Sequence, residues 1–535
     1  MWDYSLLFGS DLYEYSPDHP PVAYLDPGRQ LSGGLPFLFG EVTILQERLW
    51  LGMMTIIPYV VLGWIAFYVP RSGSKMTTFL AGLWVWMFLN QGPIHAPLLW
   101  CAVLVGFAWG RPLWLAVPLV IISGYLAQSS RYTWVFAPAM WAGMLEFGSG
   151  AFVKISRSAR ILWRTSSVVL SGLAGGILLP NYIGISNWVL NFFDRSCLQS
   201  NSAPITLSGM SFSTLTTKVA DQPLLWYRLF PNATYGNGIL LGLLIAIAPL
   251  IIVLVYLLVN RNWLLNIWQK FVILLPLLAF LVVGLIISTK IGGGGDLHNM
   301  DMFLIGIMFA AALAWRSGGV EWIGLSGRSQ QWIRIVLILM IVIPTYKPLM
   351  NLRPVAFAND AKWVAVLADV STPAVPPAQQ SEELIRVLGS LPSEELTYST
   401  LELIRSYVQE AKMRGDVLFM DQRQLLTFGY IQNVALVWEY EKKLMMDQAL
   451  NGNMDYFIPF YNDLAAKRFS LIISDPLRTP IKDSGYQFGE ENNAWVKWVA
   501  LPVLCYYEPV KTIKYVRVQL LIPSEANLNC PEILP

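Results

Sequence analysis

Ten long apolar runs constrain the fold of this chain more than any other feature. A helix that crosses the hydrocarbon core of a membrane needs about 20 mostly apolar residues. Of the 535 residues, 55% are hydrophobic and 13% are charged, whereas soluble domains carry about a quarter charged residues. We therefore predict an α-helical polytopic membrane protein of about 10 spans. The runs lie at 50–69, 77–90, 98–109, 113–127, 135–151, 166–180, 238–259, 270–288, 302–315 and 332–346.

Charge and cysteine content exclude several classes of function. The formal net charge of +2 is close to neutral, so no nucleic-acid partner is indicated. The four cysteines show no C-x-x-C spacing, which argues against a zinc ribbon or a thioredoxin-like centre. The polar start of the chain does not resemble a cleavable signal peptide, so we expect insertion to rely on the internal helices.

Basic loops predict the orientation in the membrane. The loops richest in Lys and Arg, at 71–75, 154–164, 261–270 and 316–334, all fall on one side if ten helices cross. Such loops tend to stay in the cytoplasm. The opposite, extracytoplasmic side then carries the polar segments 1–48, 91–97, 129–134, 181–237, 289–301 and everything after about 347.

The composition divides the chain into four parts. We predict an extracytoplasmic first loop at 1–48 with one amphipathic helix at 40–50, a transmembrane domain at 49–347 and a linker at 348–380. A soluble extracytoplasmic α/β domain at 381–535 follows, because helical patterns alternate there with short apolar runs. Cys505 and Cys530 could pair in an oxidising compartment. The predicted helices are 381–391 and 398–413, and the predicted strands are 416–420, 434–438, 470–474 and 516–522.

A glycine-rich stretch at 289–301 is the leading candidate for a site. It joins four consecutive glycines to Lys290, Asp296, His298, Asn299 and Asp301, and glycine lets a ligand approach the main chain closely. The segment could bind an anion, a sugar, or a metal through Asp296, His298 and Asp301. The alternative is a solvated flexible connector. Against it, ionisable groups beside the start of a membrane helix are costly and usually functional.

Other polar residues on the same predicted side could take part. The first loop offers Asp3, Asp11, Glu14, Asp18 and His19, and one of its carboxylates could act as a general base. Each is otherwise an ordinary exposed loop residue. The forked, permanently charged Arg131 suits a phosphate or a carboxylate, and His95 is either a ligand or an interfacial histidine. Trp134 fits the aromatic belt of a membrane interface.

The first loop also carries a resemblance to a known family. Its pattern Gly9-x-x-x-Tyr13-Glu14, followed by His19-Pro-Pro-x-x-Tyr-Leu25, resembles the GT-C superfamily of membrane glycosyltransferases, such as protein O-mannosyltransferases and aminoarabinose transferases. The likeness covers residues 1–350 at the level of architecture. That family begins with a membrane helix ahead of its acidic loop, whereas this chain begins inside the loop, so we expect a truncated or misassigned N-terminus.

The resemblance implies transfer of a sugar from a polyprenyl-phosphate carrier to an unknown extracytoplasmic acceptor by an inverting displacement. Asp3 or Asp11 would be the base, and Arg131 and Lys290 would stabilise the leaving phosphate. Substrate contacts would come from Glu14, His95, Asp296, His298, Asn299 and Asp301. No cofactor is required beyond a divalent cation, if one is used.

The competing interpretation is a non-enzymatic membrane protein, either a transporter or a structural subunit with an extracytoplasmic domain. A transporter would favour internal repeats and charged groups near the membrane midplane. The sequence shows no clear repeat, and its ionisable residues crowd at the outer face, with Glu146 as the main exception.

Overall fold

The computed structural model describes residues 2–15, 20–69, 75–150, 155–182, 223–319, 331–350, 394–483, 485–525 and 530. Two compact units make up the chain. The helical unit contains Leu25–Leu35 and Leu45–Met350, and the α/β unit contains Met1–Tyr24, Pro36–Ile44 and Asn351–Pro535. The predicted helix 381–391, the linker after 350, Asp18, His19 and most of the loop 181–237 lie outside the described residues.

Each of the ten predicted apolar runs contains a helix, so the helical fold class is confirmed. Among the described residues, six helices are long and apolar enough to cross a membrane, and Met76–Leu89, Ala96–Ala108 and Gln331–Tyr346 are shorter apolar helices. The number of crossings stays a prediction. The helices of this unit are α2 Pro27–Gly34, α3 Ile44–Met54, α4 Ile57–Phe67, α5 Lys75–Leu89, α6 Ala96–Ala108, α7 Leu113–Ser130, α8 Ala137–Gly148, α9 Ile155–Leu173, α10 Gly238–Val259, α11 Ile267–Ser288, α12 Asp301–Ala314 and α13 Gln331–Met350.

The first apolar helix begins earlier than the sequence predicts. α3 starts at Ile44 rather than near residue 50, and with α4 it forms the continuous membrane candidate Ile44–Phe67. The predicted amphipathic helix at 40–50 is thus the first part of this element. The start of the helix is not evident from the sequence, because the charged Glu47 and Arg48 lower the local hydropathy of an otherwise apolar run.

α12 is the central helix of the helical unit, since every residue from Asp301 to Ala314 is buried. Glycines elsewhere let backbones approach closely. A Cβ on Gly124 would lie 2.3 Å from the carbonyl oxygen of Gly172, and one on Gly175 would lie 2.0 Å from that of Ile121. Because lipid tails are as apolar as the side chains, such close packing is a main source of attraction between membrane helices.

Two charged residues near the ends of helices, Glu146 and Arg316, have partners. Glu146, the apparent exception among the ionisable residues, receives Nε of Arg164 on Oε2 at 2.6 Å and Nη2 on Oε1 at 2.9 Å. Arg316 donates to the carbonyls of Ile65 and Ala66 at the end of α4 and stacks 3.7 Å over the Trp109 ring. These arginines therefore satisfy groups that would otherwise be costly to bury.

The α/β unit contains a four-stranded sheet in the order β1-β2-β4-β3, with β1 and β2 parallel and the other neighbours antiparallel. The strands are β1 Asp416–Phe419, β2 Phe469–Ser474, β3 Tyr507–Ile513 and β4 Val518–Pro523. Its helices are α1 Trp2–Ser5, α14 Glu394–Ala411, α15 Gln424–Thr427, α16 Lys442–Leu450, α17 Met454–Ala465, α18 Gly489–Trp495 and α19 Leu501–Tyr506. Three of the four predicted strands are present, whereas 434–438 forms only an isolated bridge between Glu14 and Ala435.

The N-terminal segment is part of the core of the α/β unit. Trp2, Leu6 and Tyr13 are buried among residues of α14 and the sheet. The Tyr13 hydroxyl lies 2.6 Å from Oγ1 of Thr427, and the Glu14 carbonyl accepts the amide of Leu436 at 2.7 Å. Residues 2–15 therefore complete a fold whose other elements lie almost four hundred residues away.

Two further contacts fix this unit. Arg423 is buried, donates to the carbonyls of Phe419 and Val437 at 2.8 Å each, and stacks 4.4 Å over the Trp2 ring. Cys505 and Cys530 form a disulfide, with their Cα atoms 5.7 Å apart.

Candidate functional site

Four segments meet at one end of the helical unit. The turn before α6 contacts the glycine-rich loop, since a Cβ on Gly92 would lie 2.5 Å from the carbonyl oxygen of Leu297. The end of α7 contacts α2, since a Cβ on Gly28 would lie 2.3 Å from Oγ of Ser130. Arg131, which follows α7, donates from Nη2 to Oδ1 of Asn299 at 3.4 Å. Loops that the sequence assigned to one side are thus neighbours in space.

A buried carboxylate anchors the site. Asp301 begins α12 and is 2% exposed. Its Oδ2 accepts the indole N–H of Trp134 at 2.9 Å, and its Oδ1 accepts the amide of Met302 at 2.6 Å. A carboxylate is favoured at a helix N-terminus because the N–H groups there carry partial positive charge. Asp301 is therefore a fixed structural residue that holds Trp134 in place.

Trp134 in turn supports two of the predicted ligands. Its ring is fully buried, the guanidinium carbon of Arg131 lies 5.8 Å from its centroid, and the His95 ring lies 5.9 Å away. The turn that carries His95 is held by Tyr59, whose hydroxyl bonds to both the amide and the carbonyl of Ile94 at 3.0 and 3.1 Å. These contacts limit the freedom of Arg131 and His95 before any ligand arrives.

The glycine-rich loop is tied to a buried arginine. Arg228 is fully buried and donates from Nη1 to the carbonyls of Gly293 at 2.7 Å and Lys290 at 3.3 Å. Gly294 has a φ of +79°, and a Cβ there would lie 2.9 Å from Cδ of Arg228. Both its backbone angle and its surroundings therefore require glycine. Thr289 adds a further tie, because its carbonyl accepts the amide of Leu225 at 2.6 Å.

Asp296 and His298 form a dyad on the same loop. Oδ1 of Asp296 lies 2.5 Å from Nδ1 of His298 and also accepts the backbone amide of His298 at 2.8 Å. Their side chains are 30% and 29% exposed. The carboxylate thus orients the imidazole while leaving it accessible.

Positive charge is in excess at the site. Burial, followed by the charges of Arg29 and Arg131, lowers the pKa of His95 to about 3, so this imidazole is neutral. Burial and the charge of Arg131 also lower the pKa of Lys290. None of the ion pairs found among the described residues involves Arg29, Arg131 or Lys290. Cations that repel one another and form no ion pair within the described part of the chain favour an anionic ligand.

The predicted first-loop residues belong to the other unit. Asp3 is 2% exposed, and its Oδ1 accepts the amide of Tyr24 at 3.0 Å. Burial raises its pKa, and the Tyr24 N–H and nearby cations oppose this effect. Asp11 is exposed on the short 3-10 helix Ser10–Leu12, and Glu14 contributes its backbone to the bridge with Ala435. Their proposed roles as base and ligand stay predictions.

The geometry bears on metal binding. In the part of the chain that the structure describes, no three His, Cys, Asp or Glu side chains come together as metal ligands would. Asp296, His298 and Asp301 therefore do not form a three-ligand protein site. Asp301 is instead committed to Trp134 and Met302.

Sequence reasoning missed three residues. Arg29 and Arg228 had no visible link to the glycine-rich loop, since their position depends on packing between distant segments. Trp134 was assigned to the interfacial belt, and the signal that could have revealed its role was its spacing of three residues from Arg131.

Neither a scan against protein-family models nor a search among curated proteins finds a match for this chain.

Proposed function

We propose that the protein is a membrane glycosyltransferase, which moves a sugar from a polyprenyl-phosphate carrier to an acceptor outside the cytoplasm. The observation that carries the proposal is the excess of positive charge from Arg29, Arg131 and Lys290 at the end of a bundle of apolar helices. A polyprenyl phosphate matches both features, because its chain is as apolar as lipid and its phosphate is anionic. The resemblance of the first loop to GT-C enzymes indicates that the group on this carrier is a sugar.

The arrangement suits a leaving phosphate. When the acceptor oxygen attacks the anomeric carbon, the bond from that carbon to the phosphate oxygen breaks and its electron pair remains on the phosphate. Cations fixed in advance around this oxygen stabilise the developing charge without having to reorganise. Trp134 and Asn299 position the Arg131 guanidinium, and the packed loop positions Lys290.

Two observations support an extracytoplasmic α/β unit. Trp2, Leu6 and Tyr13 pack into a single core with described residues between 404 and 520, so the two regions must lie on the same side of the membrane. The chain between them must then cross an even number of times, which agrees with ten spans. The Cys505–Cys530 disulfide favours an oxidising compartment.

Purified protein in detergent tests the proposal. It is incubated with a panel of polyprenyl phosphates that carry radiolabelled sugars, and loss of sugar from the carrier is measured together with binding of the sugar-free polyprenyl phosphate. Arg131→Ala and Lys290→Ala should each weaken carrier binding at least tenfold. Arg160→Ala and Lys270→Ala serve as controls, since both residues are exposed and Lys270 lies at the other end of α11.

Three outcomes separate the alternatives. Transfer that depends on Arg131 and Lys290 supports the glycosyltransferase. Carrier binding without transfer under any donor would instead indicate a lipid transporter. No binding of the carrier at all would remove the basis of the proposal.

A further inference from the structure

The transfer reaction needs a group that takes the proton of the acceptor hydroxyl, and the helical unit itself offers one. We infer that the Asp296–His298 dyad is the general base, with Nε2 of His298 as the atom that accepts the proton. This inference rests on the proposed function. It gives Asp296 and His298 a role in proton transfer, at a site so far described only as binding phosphate.

The hydrogen bonds determine which nitrogen is available. A carboxylate can only accept, so the 2.5 Å contact with Oδ1 of Asp296 places the proton of neutral His298 on Nδ1. Nε2 then carries the lone pair. In the described part of the chain no hydrogen bond occupies Nε2, and the side chain is 29% exposed. A base oriented by a carboxylate, with its second nitrogen open, is the arrangement used in catalytic triads.

The other candidates in the helical unit are less suitable. His95, with a pKa of about 3, is too weak a base to collect a proton at neutral pH. Asp301 has both oxygens engaged with Trp134 and Met302 and is 2% exposed. The dyad is about 30% exposed and belongs to the loop that carries Lys290.

The reaction balances as a single displacement. The acceptor oxygen forms a bond to the anomeric carbon as its proton passes to Nε2 of His298. The bond from the anomeric carbon to the phosphate oxygen breaks, and its electron pair leaves with the phosphate. Asp296 stabilises the imidazolium that results, since its charge lies against Nδ1–H.

Several titratable or charged groups face the dyad. His95, before α6, and Asp301, at the start of α12, both interact electrostatically with His298. Tyr235, before α10, interacts with Asp296. Arg131 acts on both His95 and Asp301.

The test compares wild type with His298→Gln and Asp296→Asn in the transfer assay from pH 5 to 9. Loss of a general base should lower the transfer rate about 100-fold or more in His298→Gln. Carrier binding should change less than about threefold, and the fall in rate toward acid pH should disappear. Asp296→Asn still accepts the His298 amide, so the turn is retained, and we expect a loss of roughly 10- to 100-fold. Added imidazole should restore part of the rate in His298→Gln.

The results distinguish the inference from the proposed function. If the wild type is active and His298→Gln has the same rate and pH profile, the role of the dyad as base is overturned but the glycosyltransferase is not. The variants Asp3→Asn and Asp11→Asn then test whether a first-loop carboxylate is the base. A wild type that transfers no sugar from any donor overturns the dyad together with the glycosyltransferase. A slow variant with intact carrier binding and imidazole rescue supports the dyad.

Discussion

The indole N–H of Trp134 points at Oδ2 of Asp301 across 2.9 Å, and both side chains are buried. This bond joins the segment after α7 to the first residue of the central helix α12. Because a buried carboxylate without donors is costly, Trp134 is required for more than its apolar surface.

Trp134→Phe should reduce the free energy of unfolding by about 1–3 kcal/mol, since it leaves Oδ2 of Asp301 without its donor. SDS titration of the protein in detergent measures this loss. In the double variant with Asp301→Asn, the total loss should be smaller than the sum of the two single losses, as expected for residues in contact. Trp163→Phe is the control, because Trp163 is 71% exposed. Additive losses would show that the bond contributes nothing.

Two glycines of the same loop should differ in their tolerance of a side chain. Gly292 and Gly294 both have a φ of +79°, but a Cβ on Gly292 has no atom within 4 Å, whereas one on Gly294 meets Arg228. Gly292→Ala should therefore cost roughly 1 kcal/mol from its backbone angle alone. Gly294→Ala should cost more and should also weaken carrier binding by displacing the loop. Equal melting temperatures in the two variants would contradict the packing around Arg228.

The low pKa of His95 should make the stability of the protein depend on pH. Burial and the nearby arginines lower its pKa from 6.5 in the unfolded chain to about 3 in the folded protein. Between these two pKa values the unfolded state therefore binds more protons than the folded state. Above pH 6.5 His95 does not reduce the free energy of unfolding, and below pH 6.5 it reduces this free energy progressively. The cost grows by at most about 1.4 kcal/mol per pH unit.

The measurement is the melting temperature of wild type and His95→Gln at pH 8, 6 and 5. The advantage of wild type over the variant, whatever its value at pH 8, should shrink as the pH decreases. A difference between the two proteins that does not change with pH would show that His95 is not held neutral.

Cysteine labelling from outside the cell tests the orientation. Met413→Cys, at an 82% exposed position of the α/β unit, should react with a membrane-impermeant maleimide in intact cells. Asn262→Cys, in the exposed basic loop before α11, should react only after permeabilisation. The wild type provides the background, because Cys101 is buried and the other described cysteines form the disulfide. The reverse pattern would invert the proposed topology.

The helical part of the fold was accessible from sequence because apolar runs of this length have few alternatives in a membrane. Strand β3 was not, for a physical reason. It lies at the edge of the sheet, four of its seven residues are exposed, and it contains Pro509. An edge strand tolerates proline and lacks the apolar alternation that identifies inner strands.

The candidate site, like the fold, was only partly predictable from the sequence. The span count and the basic loops predict that Arg131 and the glycine-rich loop lie on one side of the membrane, and the structure brings Arg131 into contact with Asn299 of that loop. The roles of Arg29 and Arg228 depended on which distant segments pack together, which no local pattern encodes. Asp3 looked like an accessible loop acid, and its burial follows from the N-terminal segment joining a core formed much later in the chain.

Because the N-terminal segment packs into the core of the α/β unit, part of that core can form only late in synthesis. Trp2 and Tyr13 emerge from the ribosome before the membrane helices, yet Thr427, the partner of the Tyr13 hydroxyl, is separated from Tyr13 by 414 positions. The N-terminal segment must therefore wait, with its aromatic side chains uncovered, while the whole membrane bundle is inserted. Contacts this distant close slowly and leave apolar surface open in the meantime. The period before the segment around Thr427 is synthesised is thus when the N-terminal aromatic side chains are most exposed to aggregation and most in need of a chaperone.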